Sequence, residues 1–256
     1  MPSALLPILL LTVSLSGCQS SSSTDGQSGQ SDNGNPPESL TATAQKKGAD
    51  PDQAVAIAND FLIIPGERVG LIKPTTSEAD LLKLFGSTVV TAGDTIYGAE
   101  GAELIGTTLY KGTSDEVQII YTDEKRTKPE TIFIRPQLVD DEGLAIKHLP
   151  PSRWATTDGL HIGTTLNELE KWNGKPFKLW GFAWDYGGQV SNWQGGKLAR
   201  VPEKTFQSIT LGPPASQTPT QEKAYNQLMG DSEFLSTDKA MKILNPIVVS
   251  LAENFQ

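Results

Sequence analysis

The chain opens with an apolar run. Residues 4–13, "ALLPILLLTV", are interrupted only by Thr12. Residues 19–49 then follow with Ser, Gly, Gln and Asn and almost no apolar positions. From residue 50 onward, apolar positions recur at helical and strand spacings. The pattern therefore predicts a leader, a tether and a folded remainder.

Two segments of the folded part read as short capped helices. Thr76–Gly86, "TSEADLLKLFG", and Thr164–Gly174, "TTLNELEKWNG", share the pattern T-[ST]-x-x-[DE]-L-x-K-x-x-G. Ser77 and Thr165 are N-cap residues, and Asp80 and Glu168 three positions on complete capping boxes. Leu81, Leu84 and Phe85, like Leu166, Leu169 and Trp172, recur at helical spacing. Gly86 and Gly174 supply the left-handed residue that ends each helix. Asp50-Pro51 predicts an earlier helix, "PDQAVAIANDFLI". "TDKAMKIL" (237–244) predicts a later one.

Between the helices the period changes to two. "ELIGTTLY" (103–110), "EVQIIYT" (116–122) and "ETIFIRP" (130–136) read as strands separated by turn sequence. "FKLWGFAWDY" (177–186), "QVSNWQ" (189–194), "KLARV" (197–201), "TFQSITLG" (205–212) and "PIVVSLAENF" (246–255) continue the pattern. Gly187-Gly188 and Gly195-Gly196 are hairpin-grade turns. The expected fold is α+β, with short capped helices on antiparallel sheet. The matching helices predict two related halves, a tandem repeat of units 50–150 and 151–256.

The leader sets the location. A run of about ten apolar residues is too short to span a bilayer, which takes roughly 20. It fits the core of a signal peptide over residues 1–17. Cys18 is the only cysteine among 256 residues, and Leu15-Ser16-Gly17-Cys18 resembles the lipobox of bacterial lipoproteins. That resemblance implies cleavage between Gly17 and Cys18 and acylation of the Cys18 thiol. Two or more acyl chains hold a protein stably on a membrane surface. With Cys18 acylated, no thiol is left for a disulfide or for catalysis. In lipoproteins of bacteria with two membranes, Asp after the cysteine favours retention in the inner membrane; with Gln19 at that position, the resemblance implies the periplasmic face of the outer membrane. Residues 18–49 form a flexible tether with an end-to-end distance of roughly 30 Å.

A second resemblance rests on Thr165–Pro176, which reads T-x-x-E-L-x-x-x-x-G-x-P and precedes antiparallel strands. It is similar to the helix-plus-sheet unit of outer-membrane-assembly lipoproteins and of β-lactamase-inhibitor-protein-like folds. The first copy carries Ser87-Thr88 where Gly-x-Pro is expected. This resemblance implies protein binding or envelope scaffolding and no enzymatic activity.

Charge and composition narrow the function. A formal net charge of -9 argues against nucleic acid, which demands basic patches. The two histidines, His148 and His161, lack metal-ligand spacing. No nucleophile elbow or phosphate-binding glycine loop is present. No cofactor or metal is expected.

The stretch 180–193, "WGFAWDYGGQVSNW", carries the candidate site. Trp180, Phe182, Trp184 and Tyr186 alternate, which places them on one strand face. Trp193 joins them through a hairpin. Such a row is either core beneath the helices or an exposed face for a protein or glycan partner. The expectation is a non-catalytic binding or scaffold module. One alternative is a peptidoglycan- or glycan-acting protein using Asp185 with Glu168 or Asp158 as a carboxylate pair. Another is an inhibitor of a secreted enzyme.

Overall fold

A computed structural model describes residues 58–138, 146, 149–199 and 205–255. The leader, Cys18, the tether, His148 and most of the helix expected after Asp50 lie outside the described residues. In chain order the elements are β1 (Leu62–Ile64), β2 (Arg68–Val69), α1 (Glu78–Phe85), β3 (Val90–Tyr97), β4 (Glu103–Leu109), β5 (Val117–Tyr121), β6 (Pro129–Ile134) and β7 (Ala155–Thr156). They continue with α2 (Leu166–Asn173), β8 (Lys178–Trp180), β9 (Val190–Asn192), β10 (Thr205–Gly212), α3 (Pro219–Gln227), β11 (Glu233–Leu235), α4 (Lys239–Leu244) and β12 (Ile247–Phe255). The fold class is α+β.

The main sheet has six strands in the order β10-β12-β6-β5-β4-β3, all neighbours antiparallel. Its register aligns one apolar row across every strand: Val90, Leu109, Val117, Ile134, Leu251 and Ile209. All six are buried and belong to one core with Leu81 of α1, Leu166 and Leu169 of α2, and Met241 and Leu244 of α4. Each such side chain removed from water contributes roughly 1.5–3 kcal/mol. This inner face of the sheet therefore carries the helices. Smaller sheets, β2-β1-β7 and β11-β8-β9, flank it.

Both expected capping boxes are present. The Ser77 and Thr165 hydroxyls accept from the Asp80 and Glu168 amides, and the carboxylates bond back to the cap amides. Gly174 ends α2 in the left-handed conformation. Gly86 also has positive φ but an extended ψ of 167°. Glu78 fixes α1 to the sheet. Its Oε2 accepts from Gly93 N at 2.9 Å and Thr107 Oγ1 at 2.7 Å, and its Oε1 meets Arg126 Nη2 at 2.8 Å.

Several expectations need correction. The apolar residues assigned to the end of the first helix form β1, which pairs with β7 roughly 90 residues on. "KLARV" is not a strand where described: Lys197–Ala199 form one 3₁₀ turn, because Leu198 N donates to Asn173 Oδ1 from α2. Helix α3 and strands β2, β7 and β11 were not expected, and of β3 only its first residue falls in sequence read as strand-like, "STVV" (87–90). The units 50–150 and 151–256 share one sheet, since β12 of the second pairs with β6 of the first. After α1 the chain runs through four strands of the main sheet, whereas after α2 it builds β8 and β9 of another. A tandem repeat is not confirmed.

Candidate functional site

The aromatic stretch is not one strand. Strand β8 stops at Trp180, and Ala183 takes a left-handed φ of 65°. The chain instead folds into a tight loop over 181–189. Gly188 N donates to Trp180 O and Gly181 O, while Phe182 N and O bond to Leu228 O and Gly230 N. Two glycines are required here. A Cβ on Gly181 would lie 2.5 Å from both Leu228 O and Gly230 O, and one on Gly188 would lie 1.8 Å from Leu211 O.

The loop divides the aromatics between core and surface. Phe182 is buried and stacks on Tyr225 at 5.5 Å. Trp193 packs against Phe177 at 5.0 Å, beside the core. Trp180, Trp184 and Tyr186 run edge to face at 5.9 and 5.4 Å. Trp184 and Tyr186 are 37% and 42% exposed. The expected shared face of five aromatics is therefore corrected to an exposed pair, Trp184 and Tyr186, with Trp180 behind them. The cause is the left-handed residue at 183, which ends the period-two alternation.

Tyr186 borders a larger feature. The outer face of the six-stranded sheet, opposite the helices, forms the floor of a cavity of about 800 Å³. That size suits a compact organic ligand. The floor follows from register: Gln118, Phe133, Ala252 and Ser208 stand side by side on β5, β6, β12 and β10. Small residues at the last two positions leave space above them. One wall is the β3–β4 hairpin, through Ile96, Tyr97 and Leu104; the other is the 185–189 loop. These walls stand at opposite edges of the sheet and meet where Glu100 N donates to Asp185 Oδ2 at 3.0 Å. Gln189 Nε2 bonds Ser208 Oγ at 2.8 Å and fixes the second wall to β10.

Arg135 supplies the cation of the described lining, against the carboxylates of Glu116 and Asp185. Its Nη2 donates to Gln118 Oε1 at 2.6 Å and Tyr97 O at 3.1 Å, and its guanidinium lies over the Phe133 ring at 5.4 Å. It forms no ion pair among the described residues. Burial pulls its pKa below the ordinary arginine value, partly offset by Glu116. Gln118 stands between these charges, because its Nε2 donates to Glu116 Oε1 at 2.8 Å. Glu116 Oε2 also accepts from Gly112 N at 2.8 Å.

The carboxylates considered for hydrolysis are not gathered together. Glu168 is held by the Thr165 amide and hydroxyl, which keep its pKa below the usual carboxylate range. Asp158 is exposed in a turn. Of the three, only Asp185 lines the cavity. His161 Nδ1 donates to Gly159 O at 2.7 Å, a local turn contact. Among the described residues no cluster of three His, Cys, Asp or Glu side chains is placed to hold a metal ion. Among them, too, no helix is long and apolar enough to cross a membrane.

Arg135, Gln118, Tyr97 and Leu104 were absent from the sequence-based site. A signal was available in "ETIFIRP". With Ile132 and Ile134 facing the core, Thr131, Phe133 and Arg135 must face the other way. An aromatic and an arginine there marked the outer face as more than solvated surface. Comparisons of the chain with protein-family models, with curated proteins and with solved structures find no match.

Proposed function

We propose that this is a lipid-anchored envelope protein, held through acylated Cys18 at the periplasmic face of the outer membrane. Its folded part acts as a non-catalytic protein-binding module. The Leu15–Cys18 motif and the Ser/Gly-rich tether support the anchor. The observation that carries the binding role is the cavity on the outer sheet face, bordered by the exposed Tyr97 and Tyr186. Exposed aromatics beside a concave floor are the usual anchors of recognition surfaces.

The test uses the full chain in cells. Replacing Cys18 by Ala should move the protein from the membrane to the soluble fraction. A photo-crosslinking residue at position 97 or 186 should give a discrete protein adduct. The same residue at Lys83, on the exposed side of α1, should not. Equal crosslinking from all three positions would remove the cavity from the proposal. Adducts to glycan alone would replace the protein partner with a saccharide.

A further inference from the structure

The lining of the cavity is divided, and the division constrains the ligand. On the β3–β4 and β6 side stand Ile96, Leu104 and Phe133, with Arg135 beside them. On the β10 and β12 side stand Ser208, Thr210 and Ser250. The Thr210 and Ser250 hydroxyls make no hydrogen bond to another described residue, and they face each other across the strand pair. One wall thus offers apolar contact and a cation, and the other offers uncommitted hydroxyls.

Arg135 is the informative group. A half-buried guanidinium on a cavity wall ordinarily sits against an anion. Here its neighbours are a backbone carbonyl and the Gln118 amide oxygen, both neutral. The nearby Glu116 carboxylate is already bound by Gly112 N and Gln118 Nε2, and Asp185 by Glu100 N. Both Arg135 bonds come from Nη2, so the Nε and Nη1 donors are left for a ligand. Nε–H and Nη1–H point to different sides of the guanidinium, so a carboxylate takes one of them, in a single charge-assisted bond.

We infer that the cavity takes the free C-terminus of a short apolar peptide segment: its carboxylate lies on Arg135, its side chains lie against Ile96, Leu104 and Phe133, and its amides lie along Thr210 and Ser250. This rests on the binding-module reading and gives the partner a chemistry. A fatty acid shares the carboxylate and the apolar body but leaves the hydroxyl wall unused. Capture of a chain terminus is an established mode of peptide recognition.

The test measures binding of probe pools to the full chain in lipid nanodiscs. The pools are N-acetylated tripeptides of Ala, Leu, Phe and Tyr, prepared as free acids and as C-terminal amides, with laurate as a third probe. The acids should bind the wild type about tenfold or more tighter than the amides, the range expected of a charge-assisted bond. Arg135→Gln should abolish that preference, and Arg135→Lys should retain part of it. The acid–amide comparison on wild type does not depend on any variant folding. Equal binding of acids and amides would overturn the inference while leaving a cavity that binds. Laurate binding without peptide binding would overturn the peptide assignment. Absence of all binding up to about 1 mM would also overturn it. In that case the crosslinking from Tyr97 and Tyr186 would still judge the binding-module reading by itself.

Discussion

The main-chain N–H of Glu100 donates to Asp185 Oδ2 at 3.0 Å, across 85 positions of sequence. The bond joins the β3–β4 hairpin tip at one edge of the sheet to the 181–189 loop beyond the other. It closes a bridge over the cavity floor. Both partners are exposed, so the bond contributes little to global stability, on the order of 1 kcal/mol or less. Asp185→Ala should leave the unfolding midpoint nearly unchanged and speed hydrogen exchange at Glu100 N selectively. Asp185→Asn keeps an acceptor and should preserve protection. If Asp185→Asn abolished a hydrolytic activity of the protein, Asp185 would be a catalytic carboxylate and the binding reading would fail.

The aromatic residues of the 180–186 stretch should separate sharply under truncation. Phe182 is 3% exposed and stacked on Tyr225. Phe182→Ala should destabilise the fold by about 3–5 kcal/mol. Trp184 is 37% exposed, and its Nε1 donates to Gly181 O at 3.0 Å. Trp184→Ala should cost about 1 kcal/mol. Urea unfolding of the two variants checks the contrast. Equal losses would mean that the loop does not divide core from surface as described.

Local chemistry was the legible part of this chain. Both expected capping boxes involve residues three apart, so Ser77–Asp80 and Thr165–Glu168 can be read without knowing the fold. The same box at Thr218–Gln221 starts α3. It was missed because the following residues bury only Ala224 and show no clear apolar stripe. Strands dense in β-branched and aromatic residues, such as Val117–Tyr121, were also legible. What failed depended on distant partners. Leu62–Ile64 is a strand because β7 lies beside it. The aromatic row breaks because Leu228 and Gly230, more than 40 positions on, bond the Phe182 backbone. The cavity was invisible for a related reason: its walls come from opposite sheet edges, and no sequence window contains both.

Two glycines with similar positive φ should respond differently to the same substitution. At Gly174, φ is 70° and an added Cβ meets only Lys197 Cε at 4.0 Å. Gly174→Ala should therefore cost only the left-handed backbone penalty, about 1–2 kcal/mol. At Gly188, φ is 76° and the Cβ would stand 1.8 Å from Leu211 O. Gly188→Ala must displace the loop from β10 and should lose several kcal/mol. Thermal unfolding of the pair decides between strain alone and strain with collision.

The Tyr121–Thr107–Glu78 chain should give the stability profile a limb at each end of the pH scale. Tyr121 OH donates to Thr107 Oγ1 at 2.9 Å, and Thr107 Oγ1 donates to Glu78 Oε2 at 2.7 Å. Burial, reinforced by the Glu78 charge, pushes the Tyr121 phenol up to about 12. The folded state therefore holds its proton where the unfolded chain, near 10, releases it. This contribution is complete below pH 10 and is lost as pH rises toward about 12. The difference corresponds to about 3 kcal/mol. Burial pushes Glu78 up, but Thr107, Gly93 and Arg126 outweigh it and hold the carboxyl below its ordinary 4.5. Its contribution is present above that value and is lost as pH falls through the lower folded value. Tyr121→Phe should flatten the alkaline limb of the stability profile and leave the acid limb in place. Glu78→Gln should do the reverse, at the added cost of unpairing Arg126. Urea midpoints measured across pH for the three proteins test both assignments. An alkaline limb that persists in Tyr121→Phe would show that another group titrates there.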